Sequence, residues 1–477
     1  MFISISSIKK YCFLLILLNY FSSCTVNEQS KLLSKEELMN QKLYLSVEEA
    51  LNEPEKVYKL QIENLRLSDS FSKITQLPNL QVLILKNNHL TTLPSEIFEL
   101  KNLTYLMIQN NQITEIPEEI GDLTNLNYLY LEYNQLVTIP STIGDLIYLS
   151  QLSLDYNNIK YLPPEIGKLK NLSMLTVSYN KLEKLPPEIG ELTNLYFIDL
   201  SYNYLKKLPP EIGKLVNMDV LKIAQNLLTT LPHEIGNMTK LMHLILEGNK
   251  ITELPDELWE LRRIEFLEIH CNPLKKIPNK IGNLENLNYL NIDNLGLTEL
   301  PKEIFQLKKL VALGISYNKL TIIPPEISNL ENLIELHFIN NQVSEIPKEL
   351  GYLRRMDNIY GRGNKLKEIP KEICNLKMLK MLCFENNLIN KLPKEIENLQ
   401  SLEILFLGHN SLSEIPEGIC KLSNLRKIEL NNNFLTKLPS NINNLSSLEI
   451  LDLRNNKFKD EQMQNIKDII PNCNIKY

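Results

Sequence analysis

Residues 103–125 read LTYLMIQNNQITEIPEEIGDLTN, and the chain repeats this 23-residue unit almost without interruption. The apolar positions of the unit are Leu103, Leu106, Ile108, Ile113, Ile116, Ile120 and Leu123. The spacing of two between Leu106 and Ile108 places both side chains on one face of a short strand. The three-residue step from Ile120 to Leu123 suits a turn of helix. The unit therefore predicts a strand followed by a helical turn.

One unit is too small to fold alone. Burial of its apolar side chains contributes roughly 10–20 kcal/mol, whereas fixing the backbone of 23 residues costs at least roughly 23 kcal/mol. Stacked units cover each other's apolar edges and pair their strands, which supplies the missing contacts. The sequence therefore predicts one elongated array of repeats instead of several globular domains.

Asparagine marks the register of the repeat. It recurs every 23 residues from Asn88 to Asn456, and only Leu295 breaks the series. A sharp turn after each strand leaves backbone groups inside the coil, and an amide side chain satisfies them because it both donates and accepts hydrogen bonds. Proline keeps the same register from Pro94 to Pro439. It predicts the point at which a strand cannot continue and a helical turn begins.

The unit resembles the leucine-rich repeat family in the form LxxLxLxxNxLxxLPxEIGxLxx, over about residues 57–457. It is most similar to the 23-residue arrays of bacterial, notably spirochaete, leucine-rich-repeat lipoproteins, and then to the Ras-scaffold and plant intracellular types. The resemblance implies an α/β fold class. The expected fold is a curved solenoid with parallel strands on the concave face, short helical turns on the convex face and helical caps. It also implies that the concave face binds a partner.

The first residues predict export. Two lysines precede the apolar run at residues 11–18, which is too short to span a membrane. Residues 21–24, FSSC, resemble a relaxed bacterial lipobox, in which the cysteine carries the lipid. Lipid attachment at Cys24 is the favoured interpretation, and ordinary cleaved secretion or an uncleaved segment remain open.

Both ends of the array have sequences of their own. Ser46 and Glu49 form a capping box that predicts a short helix over the first strand. Met463, Ile466 and Ile470 give the last segment an apolar face that can cover the final unit. The predicted boundaries are 1–23 for the signal peptide, 24–45 for a lipid-attached flexible tether, 46–56 for the N-terminal cap helix, 57–459 for 18 repeat units of which the first and last are atypical, and 460–477 for the C-terminal cap.

Composition and motifs exclude several functions. The net charge of −6 and pI near 5.8 argue against a nucleic-acid partner. The chain has no phosphate loop, HExxH motif or nucleophile elbow, so we expect no catalytic residues, no cofactor and no metal. Five cysteines follow Cys24 and cannot all pair internally. Cys374 and Cys420 hold the same position two units apart, roughly 10 Å, which is too far for a disulfide.

The function is expected on the variable positions that face outward from each strand. In the unit quoted first these are Tyr105, Met107, Gln109 and Asn110. Read along the array, these positions predict an aromatic partner-binding surface that consists of Tyr105, Tyr128, Tyr130, Tyr133, Tyr156, Tyr179, Phe197 and Tyr202. Tyrosine rings combine flat apolar area with a polar hydroxyl, as interface anchors do. The alternative is that tyrosine before the asparagine is a filler whose ring packs on its neighbours.

A second group contains residues of metal-ligand type. Glu247, His270 and Asp293 occupy one position in three consecutive units, with His243 and Cys271 nearby. Carboxylates and imidazoles bind metals, but this spacing matches no metal motif. An acid-stabilised histidine on a polar face is the favoured interpretation.

One unit departs from the buried pattern. Gly361 stands where every other unit from Leu80 onward has Ile, Val, Leu or Phe. Loss of a buried leucine-sized side chain costs roughly 2–5 kcal/mol, so this point is expected to be softer. Drift in a long array explains the glycine, and a functional kink is the alternative.

The sequence thus predicts a non-enzymatic binding protein, exported and lipid-anchored in a bacterial envelope or on its surface. A protein or an extended polymer would lie on the concave face, and a membrane would hold the N-terminal lipid. The alternative is an intracellular scaffold or signalling regulator that keeps its first 23 residues, or a secreted form. An enzyme or its targeting subunit is a third possibility that no motif supports.

Overall fold

A computed structural model describes residues 32–63 and 71–477. The predicted signal peptide, the candidate lipid site Cys24 and the first part of the predicted tether lie outside the described residues. No helix among the described residues is both long and apolar enough to cross a bilayer.

Packing divides the chain into two compact units. The first comprises residues up to 205 together with 211–218. Its strands pair in parallel and in sequence order, and register advances by 23 residues, as in the pairing of Leu83 with Leu106. The strands are β1 (Leu43–Tyr44), β2 (Lys59–Gln61), β3 (Val82–Ile84), β4 (Tyr105–Met107), β5 (Tyr128–Tyr130), β6 (Gln151–Ser153), β7 (Met174–Thr176) and β8 (Phe197–Asp199).

The second unit comprises residues 206–210 and 219–477. Its strands follow the same parallel, sequential pairing, for example Leu244 with Leu267. They are β9 (Val220–Lys222), β10 (His243–Ile245), β11 (Phe266–Glu268), β12 (Tyr289–Asn291), β13 (Ala312–Gly314), β14 (Glu335–His337), β15 (Asn358–Tyr360), β16 (Met381–Cys383), β17 (Ile404–Phe406), β18 (Lys427–Glu429), β19 (Ile450–Asp452) and β20 (Asn474–Lys476). Strands β2–β19 correspond one to one with the 18 predicted repeats, which confirms the solenoid fold class.

The helical turns are 3-10 turns, mostly of five residues, on the side of each repeat opposite the strand. Pro117 occupies the N-cap of the turn Glu118–Asp122, with an extended backbone at ψ 157°. Ile120 is 1% exposed, and the strand residues Leu106 and Ile108 are fully buried. Proline therefore begins the turn as predicted, and the apolar positions of the unit form the core between strands and turns.

The asparagines point inward and bond to the backbone, as predicted. Oδ1 of Asn111 accepts hydrogen bonds from the amides of Asn88 and Leu90, both at 3.0 Å. Its Nδ2 donates to the carbonyls of Leu85 and Ile108, both at 2.9 Å. Each side chain thus ties its own turn to the preceding repeat. At the one break, the amide of Leu295 still donates to the next ladder residue, Asn318.

The residue before each ladder asparagine adopts a left-handed backbone conformation. All 17 positions from 87 to 455, in steps of 23, have positive φ. Asparagine occupies seven of them, tyrosine five and glycine two. Asparagine and glycine are the residues that tolerate this region best. The turn geometry therefore constrains this column, although its residue type varies from repeat to repeat.

The N-terminal cap contains more structure than predicted. Helix α1 (Lys35–Met39) and strand β1 lie within residues 24–45, which were predicted to form a flexible tether. Burial of Leu38, 4% exposed, and pairing of β1 with β2 give this segment its regular structure. The predicted cap helix is α2 (Val47–Ala50), whose N-cap Ser46 accepts from the amide of Glu49 at 3.1 Å.

The C-terminal cap follows the prediction closely. Helix α3 (Asp460–Ile469) buries Met463, Ile466 and the following Ile470, each 7–8% exposed. Strand β20 was not predicted, and it pairs with β19 at the end of the sheet. The five cysteines among the described residues are free thiols, consistent with the expectation that they do not all pair.

The soft point at Gly361 was expected because glycine would lose the packing of a leucine-sized side chain. That premise is wrong. Phe338 and Phe384 occupy the same position in the two flanking repeats, and both are fully buried. A Cβ atom built on Gly361 would lie 2.3 Å from Cζ of Phe338 and 2.8 Å from Cε1 of Phe384. The two rings fill the space that a leucine would occupy, so the glycine leaves no void.

Candidate partner-binding face

Four exposed tyrosines form a stacked column beside strands β5–β8. We call Tyr133, Tyr156, Tyr179 and Tyr202 the tyrosine ladder. Successive ring centroids are 4.3, 4.2 and 4.0 Å apart, and the ring planes differ by 8–10°. The four residues are 38–51% exposed. Because they stack through their faces and still expose a large fraction of their surface, the ladder presents one continuous aromatic strip to solvent.

The backbone under the ladder is strained for tyrosine. All four residues have φ between 52° and 58°, a region that costs a bulky L-residue roughly 1–2 kcal/mol. Each stacked pair returns roughly 0.5–1.5 kcal/mol. The two effects are of the same order, so stability alone does not favour tyrosine over the asparagine found in other repeats. This balance weakens the interpretation of tyrosine as a filler.

Partly buried carboxylates lie immediately before the ladder residues. Burial raises the pKa of Glu132 and of Asp155, although Asp155 accepts hydrogen bonds from both the amide and the hydroxyl of Ser178 at 2.6 and 2.8 Å. Burial also raises the pKa of Tyr156, which keeps its hydroxyl protonated at neutral pH. The face therefore combines aromatic area with hydrogen-bond donors and acceptors.

The other four predicted site residues are less accessible. Tyr105 and Tyr128 stack at 4.2 Å, and the hydroxyl of Tyr130 donates to Oε1 of Gln151 at 2.7 Å. Tyr128 is 8% exposed and Phe197 is 3% exposed. The structure thus brings all eight residues to the strand face of the first unit, but only the tyrosine ladder offers a large open area. Their role in binding remains a prediction.

Helix α1 lies over part of this face. Nζ of Lys35 is 5.8 Å from the ring centroid of Tyr128, and Nζ of Lys59 donates to the carbonyl of Met39 at 3.3 Å. Both Lys59 and Tyr128 belong to outward positions of the strands, so α1 covers the face beside them. The sequence carried no signal for this placement, because the helix lies before the repeat register begins.

In the second unit, a carboxylate lies beside the histidine that was predicted to be acid-stabilised. Nε2 of His270 lies 3.1 Å from Oε2 of Glu247. Asp293 accepts a hydrogen bond from the amide of Ser316, and burial raises its pKa. Burial lowers the pKa of His243 to about 4. Sequence reasoning missed that the nearly buried Glu268 joins this group, because Glu268 belongs to a different column of the repeat.

In each unit, sequential parallel strands, an asparagine ladder and proline-led turns define a solenoid of short repeats with an outward strand face. Such folds are generally interaction scaffolds. The chain belongs to the leucine-rich repeat family. A family model described as a leucine-rich repeat region matches residues 188–272, 255–368 and 360–470, and a second, described as leucine rich repeat, matches residues 78–136 and 147–205.

Several solved structures are similar. A leucine-rich repeat protein of Leptospira interrogans is 34% identical over 92% of this chain and 100% of its own, with a TM-score of 0.70. The plant peptide hormone receptor RGFR1, solved in complex with RGF2, is 28% identical over 87% of this chain and 80% of its own, with a TM-score of 0.65. The Arabidopsis receptor kinase HAESA, solved with the peptide hormone IDA and the co-receptor SERK1, is 27% identical over 87% and 76%, with a TM-score of 0.63. No curated protein sequence gives a match. These findings confirm the predicted resemblance to spirochaete leucine-rich-repeat proteins.

Proposed function

We propose that the protein is a non-enzymatic binding protein that holds a protein or an extended polymer on its strand face. The observation that carries this proposal is the tyrosine ladder: four stacked, exposed rings on a backbone that does not favour tyrosine. The two plant receptors described above, solved with peptide hormones, support a polypeptide ligand.

The physical chemistry of the ladder suits an interface anchor. Stacked rings lose little side-chain entropy on binding because each is already held by its neighbours, and an anchor that is ordered before binding costs less free energy to engage. The hydroxyls supply polar contacts at the edge of the apolar strip. A ligand that lies along the ladder would cross four repeats, so a segment of extended chain fits it better than a small molecule.

The binding test requires variants that keep the backbone conformation. Tyr133, Tyr156 and Tyr179 are changed together to asparagine, which other repeats carry at the same left-handed position. The matched control is Tyr317→Asn, since Tyr317 is 55% exposed in the same column but belongs to no stacked pair among the described residues. Proteins retained by the immobilised wild-type chain are identified by mass spectrometry, and their affinities are then measured.

We expect the triple variant to lose at least about 100-fold in affinity for a retained ligand, because aromatic anchors typically contribute 2 kcal/mol or more each. Tyr317→Asn should bind as the wild type does. Equal affinities of the triple variant and the wild type would remove the tyrosine ladder from the proposed site.

We further propose that the protein is exported and anchored through a lipid on Cys24, in the envelope or on the surface of a bacterium. Support comes from the FSSC sequence at residues 21–24 and from the similarity to a Leptospira protein. Mass spectrometry of the native N-terminus tests this proposal. A diacylated or triacylated Cys24 supports it, whereas an intact Met1 supports the intracellular scaffold, and an unmodified N-terminus created by cleavage supports secretion.

A further inference from the structure

A three-residue group on the strand face of the second unit brings together metal-ligand atoms. Glu268 ends β11, His270 follows two residues later, and Glu247 lies at the position of His270 in the preceding repeat. Alternate residues of an extended segment point to the same side, so all three side chains share one face. One carboxylate oxygen from each glutamate and one imidazole nitrogen lie within 4.8 Å of one another.

We propose that Glu247, Glu268 and His270 form a binding site for a divalent transition-metal ion of the zinc class. Carboxylate oxygen and imidazole nitrogen are the ligands that zinc takes at bond lengths of about 2.0–2.2 Å. In a tetrahedral site such bonds place neighbouring ligand atoms roughly 3.4 Å apart. The observed separation of 3.1 Å between Nε2 of His270 and Oε2 of Glu247 is close to that edge. The site has three protein ligands, which leaves a fourth position for water or for a group of a bound partner.

Buried polar atoms beside the group give independent support. Nδ1 of His270 and the hydroxyl of Tyr289 are both buried and have no hydrogen-bond partner among the described residues. Tyr289 is 2% exposed and lies on β12 diagonally across from Glu268 of β11, on the same face of the sheet. Buried polar groups in native proteins are nearly always satisfied by protein, water or an ion. A hydrated metal ion would give the hydroxyl a partner.

Burial also favours a cation at this point. Glu268 is 3% exposed, and the side chains of Glu247 and His270 are 22% and 16% exposed. Carboxylates removed from water cost free energy that a bound cation offsets. Imidazole among the ligands selects zinc-like ions over calcium and magnesium, which prefer oxygen ligands alone.

The same face contains a matched pair that lacks a third ligand. His337 and Glu335 are 3.4 Å apart between Nε2 and Oε2. Here Oε1 of Glu335 accepts a hydrogen bond from Nδ2 of Asn358 at 3.2 Å, and the imidazole stacks on Tyr360 at 4.2 Å between centroids. No third residue of metal-ligand type joins this pair in the part of the chain that the structure describes. It therefore serves as an internal control for histidine–carboxylate contacts that do not form a site.

The test is zinc binding to the purified full-length chain after removal of metals with a chelator. Isothermal titration with Zn²⁺ should show one site per chain in the wild type and in His337→Ala. Glu268→Gln, which keeps the shape of the side chain, and His270→Ala should each weaken binding at least about 10-fold, the equivalent of about 1.4 kcal/mol. Unfolding in urea without metal is measured for each variant, so that a folding defect is distinguished from loss of a ligand.

Several outcomes would overturn the proposal. Absence of zinc binding by the wild type is one, and equal affinities of the wild type, Glu268→Gln and His270→Ala are another. Binding of Ca²⁺ by the wild type as tightly as Zn²⁺ would contradict the selection of a zinc-class ion by imidazole. Binding lost in His337→Ala and kept in His270→Ala would assign the metal to the other pair. The result does not depend on the tyrosine ladder, which belongs to the first unit.

Discussion

Tyr156 and Asn157 are neighbours in the same turn, and they illustrate two kinds of column in the repeat. Asn157 is 7% exposed, accepts a hydrogen bond from the amide of Leu136 and donates to the carbonyls of Leu131 and Leu154. Tyr156 is 38% exposed and contacts mainly the ladder rings on either side. We call the positions of the ladder asparagines, such as Asn157, the inner column, and the positions just before them, such as Tyr156, the outer column. Side chains of the inner column bond to the backbone of the fold, whereas those of the outer column form part of its surface.

The comparison shows where a repeat can vary. Most repeats from residue 88 to residue 456 carry asparagine in the inner column, because no other side chain satisfies the same amide and carbonyl groups. The outer column requires only a left-handed backbone, which asparagine, glycine, tyrosine, glutamine, cysteine and histidine all adopt here. A run of one residue type in the outer column therefore points to a surface role.

The largest expected effect is that of Asn157→Ala. The substitution leaves the buried amide of Leu136 without its partner, which costs about 1–3 kcal/mol. It also removes one hydrogen bond, of about 0.5–1.5 kcal/mol, from each of the carbonyls of Leu131 and Leu154, which keep those from Asn134 and Asn180. We expect the free energy of unfolding to fall by about 3–5 kcal/mol, as measured by urea denaturation followed by circular dichroism. Asn171→Ala is the control, because exposed Asn171 makes one hydrogen bond, to the carbonyl of Ile147. Equal losses for both variants would contradict the special role of the inner column.

A smaller effect is expected for Gly361→Leu, which restores the usual residue type to a buried position. The new side chain would collide with Phe338 and Phe384, and overpacking typically costs about 1–3 kcal/mol. The double variant Phe338→Leu with Gly361→Leu should recover much of that loss, which a double-mutant cycle on unfolding free energies measures. An increase in stability for Gly361→Leu alone would show that the glycine leaves a void after all.

Tyr156→Asn tests the outer column directly. The change relieves strain in the left-handed backbone but removes stacking on both sides, and these contributions nearly cancel. We expect the free energy of unfolding to change by less than about 1 kcal/mol. Tyr156→Val should be less stable than Tyr156→Asn, since a β-branched residue fits this backbone region poorly. A loss above 2 kcal/mol for Tyr156→Asn would mean that the ring supports the fold.

The smallest effect concerns Glu132, next to the first ladder tyrosine. Burial raises the pKa of its carboxyl group, and one carboxylate oxygen has no hydrogen-bond partner among the described residues. The folded state therefore binds more protons than the unfolded state between the ordinary and the raised pKa, so stability falls as pH rises through that interval. Glu132→Gln should stabilise the protein by about 0.5 kcal/mol at pH 7 and by less at pH 4. Thermal unfolding at both pH values tests this expectation, and an equal shift at both would contradict it.

Much of the fold could be predicted from the sequence because each feature recurs in many repeats, so that an ambiguous assignment in one repeat is resolved by the others. The spacing of Leu106 and Ile108, the asparagine register and the prolines each recur in nearly every unit, so strands, turns and repeat number follow from one pattern. The caps were partly readable: α3 has its own apolar face, whereas β1, β20 and α1 lie outside the register and carry no periodic signal.

The features that were not predicted depend on contacts between different positions of the repeat. Comparison of one position across all repeats does not reveal such contacts. The left-handed backbone had a readable signal in the frequent asparagines and glycines before each ladder asparagine. Gly361 had one as well, since phenylalanine occurs in that column only at Phe338 and Phe384. Glu268 also had a signal, because it stands two residues before His270 in one extended segment, and alternate side chains point to the same face. The tyrosine ladder was predicted as a column, but its strain was visible only in the backbone angles.

The asparagine hydrogen bonds also have a direction. Oδ1 of Asn134 accepts from the amide of Ile113, and its Nδ2 donates to the carbonyl of Ile108, so both atoms of the side-chain amide bond to the preceding repeat. During synthesis the N-terminal repeats are made first. The last completed repeat therefore has backbone amides whose hydrogen-bond acceptor, the asparagine of the next repeat, has not yet been made. Deletions from the C-terminal side should expose such amides at the new boundary, whereas deletions of whole repeats from the N-terminal side should not. The two ends of the array therefore differ in their response to incomplete synthesis and to truncation, even though the repeats look alike.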